Sequence, residues 1–309
     1  MEIKETAGLV PDKTYRIGNV SLASRPLDAG LYLVATPIGN LGDMTVRGLE
    51  TLAGADIVAC EDTRVTRVLL DRYGIRTRPY PYHEHNADEA GVRLLAALGE
   101  GKSVALVSDA GTPLVSDPGY RLARLAIDAG HRVVPIPGAS APLAALVGSG
   151  LPNEAFFFAG FLPAKDKARR DRLAELANIP ATLLFFESPH RIADTLVAAA
   201  KTIGGARQAS VCREMTKTYE EFRRGTLADL ADYYGNDRAV KGEIVLVIAP
   251  PAAAVAPQAL DIDRLLGELS QTMQTASAAA EAAKLTGLPR KDLYQRLLTM
   301  KNRDEPKET

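Results

Sequence analysis

Short apolar runs alternate with amphipathic runs from Gly30 onward, and this alternation restricts the fold more than any other feature of the sequence. The apolar runs are 31–35, 57–60, 78–82, 104–107 and 132–136, and the amphipathic runs that follow them are 45–53, 63–73, 88–98, 120–129 and 139–147. Apolar strands separated by helices are typical of a parallel sheet covered on both faces. We therefore predict an α/β domain over residues 30–150. Residues 1–29 show no clear period, and we expect an N-terminal extension that is at least partly flexible.

Beyond this region the sequence predicts a second α/β domain at 151–250, which shares a cleft with the first. Strand candidates now outnumber helices and are found at 156–158, 182–186, 211–213, 221–224 and 244–248, with helical patterns only at 165–177 and 192–203. Fewer helices per strand favour a mixed or antiparallel sheet. An Ala- and Pro-rich stretch predicts a linker at 251–260. The tail, 261–309, reads as helix, tight turn at Gly287 and helix, which fits either a helix-turn-helix or a helical hairpin that packs on a partner subunit.

The loop Ser108–Gly119 joins a predicted strand to a predicted helix and contains two glycines and two prolines. Gly111 permits positive φ, and each proline fixes φ and removes a donor. Ligands of open α/β sheets bind outside the carboxyl ends of the strands, which is where this loop lies. Three other strand ends also carry polar or glycine-bearing loops, at 35–41, 60–64 and 135–141. We therefore place the active cleft at this edge, with Ser108–Gly119 at its centre.

Composition excludes several classes of protein and leaves the partner open. The chain has 309 residues, and its 37 Lys and Arg nearly balance its 38 Asp and Glu, so net charge indicates no partner. Two cysteines at a spacing that matches no zinc site indicate a reducing compartment. The sequence has no 18-residue apolar run and no apolar signal core, so we expect a cytoplasmic protein without a membrane span. P-loop, strand-linked G-x-G-x-x-G and G-x-S-x-G motifs are absent, and the four histidines have no convincing metal-ligand spacing, so we expect no metal site.

Residues 30–249 resemble the tetrapyrrole-methylase-like class of S-adenosylmethionine-dependent methyltransferases. The motifs that give this resemblance are 34–41, 61–64, 82–86, 108–119, 137–140, 160–163, 187–191, 213–217 and 242–245. Within the class they are most similar to the branch that methylates a cytidine 2′-oxygen in ribosomal RNA. The resemblance implies two α/β domains around a cofactor cleft, and usually a homodimer. It also implies that S-adenosylmethionine is the methyl donor and that the acceptor is a decoding-centre cytidine of 16S RNA in the small ribosomal subunit.

By the same resemblance, three segments are expected to surround the cofactor. Residues of the central loop would line its methionine and ribose, and the next strand end would contact it from the other side. Residues of the second domain would close over the adenine. The expected cofactor residues are Asp109, Ala110, Gly111, Thr112, Pro113, Leu114, Val115, Ser116, Pro137, Gly138, Ala139, Ser140, Phe186, Glu187, Met215, Gly242 and Glu243. Ser140 also suits the N-cap of the following helix, and Phe186 also suits the core.

Methyl transfer needs an oriented acceptor oxygen and benefits from a general base. Orientation can account for about 7–11 kcal/mol of the barrier, and a base for about 10²–10⁴-fold in rate. Glu61 and Asp62 at a strand end, and then His83, are the candidate bases. Asp62 suits equally well the N-cap of the helix that starts at Thr63, with Arg64 as its ion-pair partner.

Basic side chains near the cleft are candidates for RNA phosphate contacts. They are Arg64, Arg67, Lys165, Lys167, Arg169, Arg170, Arg172, His190 and Arg191. A solvated helix face explains the 165–172 run equally well. Two other functions stay open at this stage. One is a tetrapyrrole methylase of corrin or sirohaem synthesis, and the other is a non-enzymatic nucleic-acid-binding regulator that uses the C-terminal helices.

Overall fold

A computed structural model describes residues 13–117, 119–235, 240–251 and 262–304. The chain divides into two compact units, residues 1–250 and residues 251–309. No helix in the described ranges has the length and apolar character needed to span a membrane. The predicted linker at 251–260 lies almost wholly outside the described residues.

Unit 1 contains strands and helices close to those that the sequence predicts. The strands are β1 Thr14–Ile17, β2 Val20–Ala23, β3 Gly30–Val34, β4 Ile57–Cys60, β5 Pro79–Pro81, β6 Ser103–Val107, β7 Val133–Ile136, β8 Phe156–Phe161, β9 Thr182–Glu187, β10 Gln208–Arg213, β11 Glu221–Thr226 and β12 Ile244–Ile248. The helices are α1 Val46–Gly54, α2 Thr63–Arg72, α3 Ala87–Gly99, α4 Tyr120–Asp128, α5 Ala141–Ser149, α6 Asp166–Leu176, α7 Ile192–Ala199 and α8 Leu227–Gly235. Short 3₁₀ turns stand at 41–43 and 84–86, and a π turn at 200–204 extends α7.

The first sheet is parallel, with strand order β5-β4-β6-β3-β7. Helices α1 and α2 cover one face through a core that includes Leu52 and Leu70, and α3 and α4 cover the other through a core that includes Leu94 and Leu122. The four strands whose ends carry the polar loops, β4, β6, β3 and β7, are neighbours. The predicted parallel α/β sheet is thus confirmed, and its topology brings those four loops to one edge.

The N-terminal extension contains two strands that the sequence does not predict. Residues 14–23 form an antiparallel hairpin, β1 and β2. Tyr15 is 5% exposed and belongs to the core beneath α1 and α2. The Lys13 Nζ donates to Gly54 O at 2.7 Å. Residues 13–23 of the extension therefore pack onto the first domain. The sequence does not indicate these strands, because alternation over only four residues per strand gives too weak a pattern to recognise. Residues 1–12 lie outside the described part.

The second sheet has strand order β11-β10-β12-β9-β8 and is mixed, as the sequence predicts. Strand β8 is parallel to β9, and the other pairs are antiparallel. One face packs against α6, α7 and α8. The other face packs against α5, where Ala145 and Leu146 contact Leu184 and Val247. Helix α5 falls within the predicted first domain, yet it covers the second sheet, so the two halves share a core and the boundary at residue 150 stays a prediction.

The described residues of unit 2 form three helices, α9 Ile262–Thr272, α10 Thr275–Thr286 and α11 Arg290–Asp304. Leu266, Ala279 and Leu293 are among the residues of its small core. Gly287 closes α10 with a φ of +69°, as expected of a residue at the end of a helix. The sequence analysis does not predict helix α9, because the Ala- and Pro-rich segment before it gives no clear helix-start signal.

Candidate functional site

A cavity of about 400 Å³ lies where the edge of the first sheet meets the second sheet. The loop after β6 and the start of α5 form one wall, and the ends of β8 and β9, the loop after β10 and the start of β12 form the other. Its lining residues are Ile38, Ala110, Gly111, Thr112, Val115, Ser116, Asp117, Ser140, Ala141, Pro142, Phe161, Phe186, Glu187, Ser188, Pro189, Met215, Gly242, Glu243, Ile244 and Val245. We call this space the first cavity.

The loop Ser108–Gly119 is fixed by contacts that leave its ligand-facing side free. Thr36 and Gly111 exchange two backbone hydrogen bonds, of 2.8 and 3.0 Å. The Thr112 Oγ1 donates to Ala139 O at 3.2 Å, which ties this loop to the loop after β7. The Thr36 Oγ1 donates to Ser108 O at 3.0 Å. The wall is therefore preorganised, which lowers the ordering cost of binding a ligand.

Four residues other than glycine have positive φ in the described backbone, and they flank the first cavity in two pairs. Leu114 (+71°) and Ser116 (+63°) belong to the loop after β6, and Glu214 (+49°) and Thr216 (+67°) enclose Met215 in the loop after β10. Such conformations cost about 1–3 kcal/mol each and cluster at ligand sites. The two walls thus hold strained backbone on opposite sides of one space.

The wall formed by the second sheet depends on a glycine. At Gly242, φ is +93°, and a Cβ would lie 2.3 Å from the Glu214 Cγ. The Glu214 side chain crosses this position to accept from the Glu243 N–H at 3.0 Å and from the Lys217 Nζ at 2.8 Å. Only glycine lets that carboxylate pass, so Gly242 fixes the strand start that lines the cavity.

Two aromatic rings line the end of the first cavity. The Phe161 and Phe186 ring centroids are 5.4 Å apart, and Phe158 packs behind Phe186 at 4.8 Å. Phe161 is 60% exposed although it is a large apolar side chain. An exposed ring beside a packed one offers a stacking surface for a planar ligand.

The structure brings together eleven of the seventeen residues expected to hold the cofactor. Those that line the first cavity are Ala110, Gly111, Thr112, Val115, Ser116, Ser140, Phe186, Glu187, Met215, Gly242 and Glu243. Six do not line it: Asp109, Pro113, Leu114, Pro137, Gly138 and Ala139.

The physical reason for these exceptions is different in each loop. Leu114 packs into the core of α3 and α4. A Cβ at Gly138 would lie 2.9 Å from the Ala35 Cβ. Glycine at this position therefore lets the chain after β7 pass close to the end of β3. Ala139 accepts the Thr112 hydroxyl through its carbonyl. These residues shape the wall from behind.

Ser140 stands at the N-cap position of α5 but does not cap it. Its hydroxyl makes no capping bond, and within the described residues it has no hydrogen-bond partner at all. A half-buried hydroxyl without a partner in a cavity wall is available to a ligand. The structure thus does not show the side-chain cap, and the ligand contact stays a prediction.

The Glu187 carboxylate is held by partners within the protein. Its carboxylate is buried and accepts from the Thr195 Oγ1 at 2.6 Å and from the Ser188 N–H at 2.8 Å. The Arg191 Nε lies 3.5 Å from it. The residue therefore shapes the cavity and contributes no free carboxylate to it.

A second cavity, of about 340 Å³, adjoins the first and shares Ile38, Ala110 and Glu243 with it. Helix α2 contributes an apolar side through Val65 and Val68, which are 44% and 62% exposed. The rest of the lining is mixed: it includes Ile38 and Leu41 as well as three charged side chains, those of Asp109, Lys217 and Glu243. Apolar side chains together with charged groups suit a ring with polar edges.

The candidate bases at the end of β4 differ sharply in chemistry. Asp62 is the N-cap of α2, where it accepts from the Arg64 N–H at 2.8 Å and from the Arg64 guanidinium. Those hydrogen bonds lower the pKa of Asp62 to about 2. These hydrogen bonds and the lowered pKa favour the N-cap interpretation of Asp62, and its role as a base stays a prediction.

Burial raises the pKa of Glu61, and the charge of Asp109 raises it further. The His83 Nδ1 is buried without a hydrogen-bond partner, and its ring faces His85 at 6.1 Å. Neither side chain lines the two cavities. The described residues contain no group of three or more His, Cys, Asp and Glu side chains arranged to hold a metal ion.

Asp117 is the residue that sequence reasoning missed. It lines the first cavity, and burial raises its pKa to about 6, with further contributions from the charges of Glu61 and Asp109. Asp109 lines the second cavity, and the charges of Asp109 and Glu61 both act on Asp117, although Glu61 itself lines neither cavity. The sequence position of Asp117 could have indicated it, since Asp117 directly follows the segment 109–116 that was expected to hold the cofactor.

Two residues of the expected RNA-binding set, Arg169 and Arg191, are held by other groups of the protein. The Arg169 side chain is 5% exposed and pairs with Asp166 at 3.3 Å. Arg191 donates to Leu162 O at 2.7 Å and to Pro163 O at 3.1 Å, and it pairs with buried Glu187. The structure gives both side chains partners within the protein, and their contact with RNA stays a prediction. A basic run in the sequence does not show which of its members face the core.

The other basic candidates are at least partly exposed. The Arg64 side chain is 90% exposed while it pairs with Asp62, and Arg67 pairs with Asp71 at 3.6 Å. On α6, Arg170 pairs with Asp166 and Arg172 with Glu175. Lys165, Lys167 and His190 are exposed and have no ion-pair partner among the described residues.

Comparison with known proteins gives a consistent result along the chain. Residues 30–231 match the family model of the tetrapyrrole (corrin/porphyrin) methylases, and residues 256–301 match the model of the RsmI C-terminal HTH domain. A protein of Mesorhizobium japonicum named ribosomal RNA small subunit methyltransferase I is 62% identical over 286 residues, which cover 93% of this chain and 97% of that one. A protein of the same name from Escherichia coli O157:H7 is 44% identical over 86% of this chain and 93% of its own.

Among solved structures, cobalt precorrin-4 methyltransferase CbiF shares the fold. Its TM-score is 0.55 at 20% identity, over 70% of this chain and 93% of that one. The two packed α/β halves of unit 1 thus share the fold of that structure. The chain belongs to the tetrapyrrole (corrin/porphyrin) methylase family and groups within it with the proteins named ribosomal RNA small subunit methyltransferase I.

Proposed function

We propose that the protein is an enzyme that transfers a methyl group from S-adenosylmethionine to the ribose 2′-oxygen of a cytidine in the decoding centre of 16S ribosomal RNA, within the small ribosomal subunit. The strongest support is the likeness to ribosomal RNA small subunit methyltransferase I, which extends over 93% of this chain. We further propose a cytoplasmic homodimer. Its cysteines, Cys60 and Cys212, are free and buried, in keeping with a reducing compartment.

The first cavity fits S-adenosylmethionine. Phe161 and Phe186 offer a surface for the adenine, and the fixed loop 110–116 offers backbone groups to the ribose and methionine. The Ser140 hydroxyl has no hydrogen-bond partner in the described protein and is available to the ligand. When bound, the cofactor supplies an electrophilic methyl group on its sulfonium. The protein's own contribution is to orient the two reactants, which can account for about 7–11 kcal/mol of the barrier.

The second cavity is the proposed position of the target cytidine. It adjoins the first cavity along Ile38, Ala110 and Glu243, so an acceptor held there lies beside the cofactor site. Val65 and Val68 offer an apolar side to a base that has left the RNA stack. Lys217 can donate to a pyrimidine carbonyl, while Glu214 and Glu243 fix its ammonium group at 2.8 and 3.1 Å. Extruded bases are held by this combination of apolar contact and edge hydrogen bonds.

Asp117 is the proposed acceptor of the 2′-hydroxyl proton, and Glu61 acts through its charge. Asp117 is in the wall of the first cavity, and it interacts electrostatically with Asp109, which lines the second cavity. Its raised pKa, about 6, keeps it ionised at neutral pH while making it a stronger base than an ordinary aspartate. The bases expected from the sequence, Glu61, Asp62 and His83, stay predictions.

The decisive experiment incubates the purified protein with labelled S-adenosylmethionine and small ribosomal subunits, and then maps 2′-O-methylation. We expect label on one cytidine of 16S RNA. Label in a porphyrinoid substrate and none in RNA would instead identify a tetrapyrrole methylase. Sequence-specific nucleic-acid binding without any methyl transfer would identify a regulator.

The exposed basic side chains of α6 give a separate prediction. We expect the triple variant Lys165→Glu, Lys167→Glu and Arg170→Glu to bind RNA more weakly and with a smaller dependence on salt. The plot of log K against log salt has a negative slope, and each lost phosphate contact on single-stranded RNA reduces its magnitude by about 0.7. Filter binding at several salt concentrations measures this slope.

A matched triple variant provides the control for that experiment. Arg93→Glu, Lys102→Glu and Arg124→Glu make the same change in net charge at exposed positions away from the cavities. If both triple variants lose the same affinity and slope, α6 has no specific role in RNA binding.

A further inference from the structure

A polar cavity of about 450 Å³ lies between the N-terminal hairpin and the C-terminal end of α2. Three arginines from separate elements line it: Arg16 of β1, Arg67 of α2 and Arg76 of the loop after α2. Thr14 and Ser21 of the hairpin add two hydroxyl groups. We call this space the arginine cavity. It shares no lining residue with the first or second cavity.

The charges of the arginine cavity are not balanced by the protein. Its only acidic lining residue is Asp71, whose carboxylate lies 3.6 Å from the Arg67 Nη1. Arg16 and Arg76 form no ion pair with any residue in the described part of the chain. Cationic side chains that line one cavity repel one another, and an anion bound between them would relieve that repulsion. The lining therefore favours an anionic ligand.

Arg16 is held in position by the fold. Its backbone N–H donates to Tyr73 O at 2.7 Å, and its neighbour Tyr15 is buried in the core. The Arg16 side chain crosses Gly74, where φ is +64° and a Cβ would lie 2.7 Å from the Arg16 Cδ. A larger residue at position 74 would displace this side chain. Such preorganisation reduces the entropy lost when the guanidinium binds.

We propose that the arginine cavity binds a backbone phosphate of the RNA substrate, outside the target nucleotide. The choice of RNA rests on the proposed function. Guanidinium groups form bidentate hydrogen bonds with phosphate oxygens. The cavity is lined by no aromatic side chain, so it suits a phosphate rather than a stacked base.

The position of α2 supports this assignment. Its residues Val65 and Val68 line the second cavity, and its residues Arg67 and Asp71 line the arginine cavity. The two cavities are therefore separated by about one helix diameter, roughly 10–12 Å. An RNA strand that crosses α2 would place its target nucleoside on one side of the helix and a neighbouring phosphate on the other.

The test uses the full-length double variant Arg16→Glu and Arg76→Glu. We expect its KM for small ribosomal subunits to rise at least roughly 10-fold, the usual effect of losing a charge-assisted hydrogen bond, with kcat and S-adenosylmethionine affinity unchanged. The magnitude of the negative slope of log K against log salt for RNA binding should decrease by about 1.4, because two phosphate contacts are lost. The double variant Arg16→Lys and Arg76→Lys should keep the slope and lose affinity only a few-fold, because lysine keeps the positive charge but cannot form the bidentate hydrogen bonds of a guanidinium group.

The control double variant is Arg93→Glu and Arg124→Glu, on helices that cover the opposite face of the first sheet. Equal loss of affinity in both double variants would overturn the proposal, because the effect would then depend on net charge alone. An unchanged KM and an unchanged salt slope in Arg16→Glu and Arg76→Glu would also overturn it. Thermal unfolding of each variant establishes that it is folded.

Titration with inorganic phosphate distinguishes the two sources of the anion. If millimolar phosphate stabilises the wild type against unfolding, and the double variant loses this effect while its RNA binding is unchanged, the cavity serves a free anion and the RNA proposal is wrong. RNA binding is measured separately from methyl transfer. A wild type that binds RNA through these arginines but transfers no methyl group would therefore contradict the proposed function and not the phosphate site.

Discussion

An Asp117→Asn variant is expected to lose about 10²–10⁴-fold in kcat while binding S-adenosylmethionine with unchanged affinity. The amide keeps the shape of the side chain in the wall of the first cavity but cannot accept the 2′-hydroxyl proton. Single-turnover methylation of small subunits measures the chemical step, and calorimetric titration measures cofactor affinity. Activity within a few-fold of the wild type would exclude Asp117 as the base.

The pH dependence provides a second readout for Asp117. Since its pKa is raised to about 6, the fraction of ionised base, and with it kcat, should rise as the pH increases through about 6 and level off above it. In the Glu61→Gln variant one of the charges that raises this pKa is absent. The rise in kcat should then move to lower pH, with the plateau largely kept. If Glu61→Gln is inactive and Asp117→Asn is active, the two roles are reversed.

The same side chain should lower the stability of the fold near neutral pH. The pKa of Asp117 is raised from 3.8 in the unfolded chain to about 6 in the folded chain, so between these values the folded state binds more protons. Folding favours the protonated form of Asp117. The stability that this form contributes is therefore complete below pH 3.8 and is lost as the pH rises through about 6, where the folded side chain ionises. Asp117→Asn should therefore raise the free energy of unfolding at pH 7 relative to the wild type, while it removes activity. A gain in stability together with a loss of rate is the pattern expected of a strained functional group.

Most of the fold was predictable because it depends on periodicity that is local in the sequence. The runs 57–60 and 244–248 are strands with the predicted bounds, since apolar residues in a parallel or central strand are buried on both faces. The edge that carries the site was also predictable. Loops after parallel strands emerge on one side of the sheet, whichever order the strands take.

The remaining features depend on contacts between distant parts of the chain. Nothing in the run 165–172 indicates that Arg169 turns inward while Arg170 faces solvent, because that depends on how α6 packs against α7 and the second sheet. The sequence fits Asp62 both as a cap and as a base, whereas its hydrogen bonds with Arg64 depend on the folded geometry at the start of α2. The strained φ of Glu214 and Thr216 cannot be read from residue types that rarely adopt it. Sequence thus locates the site, and packing decides which side chains in it are free to act.

A Gly111→Val variant is expected to lose at least 100-fold in S-adenosylmethionine affinity while it remains folded. At Gly111, φ is +80°, and both of its backbone polar groups bond to Thr36. A Cβ would lie 3.4 Å from the Ile38 Cγ2, which is tolerable, so the main cost comes from the backbone. A left-handed conformation costs roughly 1–2 kcal/mol in an L-residue, and more when the side chain is β-branched. The loop is expected to relieve this strain by shifting peptide groups between residues 109 and 116, which are the groups proposed to hold the cofactor.

Gly101→Val is the matched control for this prediction. Gly101 has nearly the same φ, +82°, and has open space around the position of a Cβ, but it precedes β6 at the edge of the sheet opposite the site. Both variants should lose a similar part of the free energy of unfolding, and that loss is small against the 5–15 kcal/mol typical of a folded domain. Only Gly111→Val should lose cofactor affinity, with Gly111→Ala between it and the wild type because alanine brings the backbone strain without the branched side chain. Undiminished S-adenosylmethionine binding by folded Gly111→Val, measured by calorimetry, would reduce the loop Ser108–Gly119 to a structural turn and move the cofactor site elsewhere.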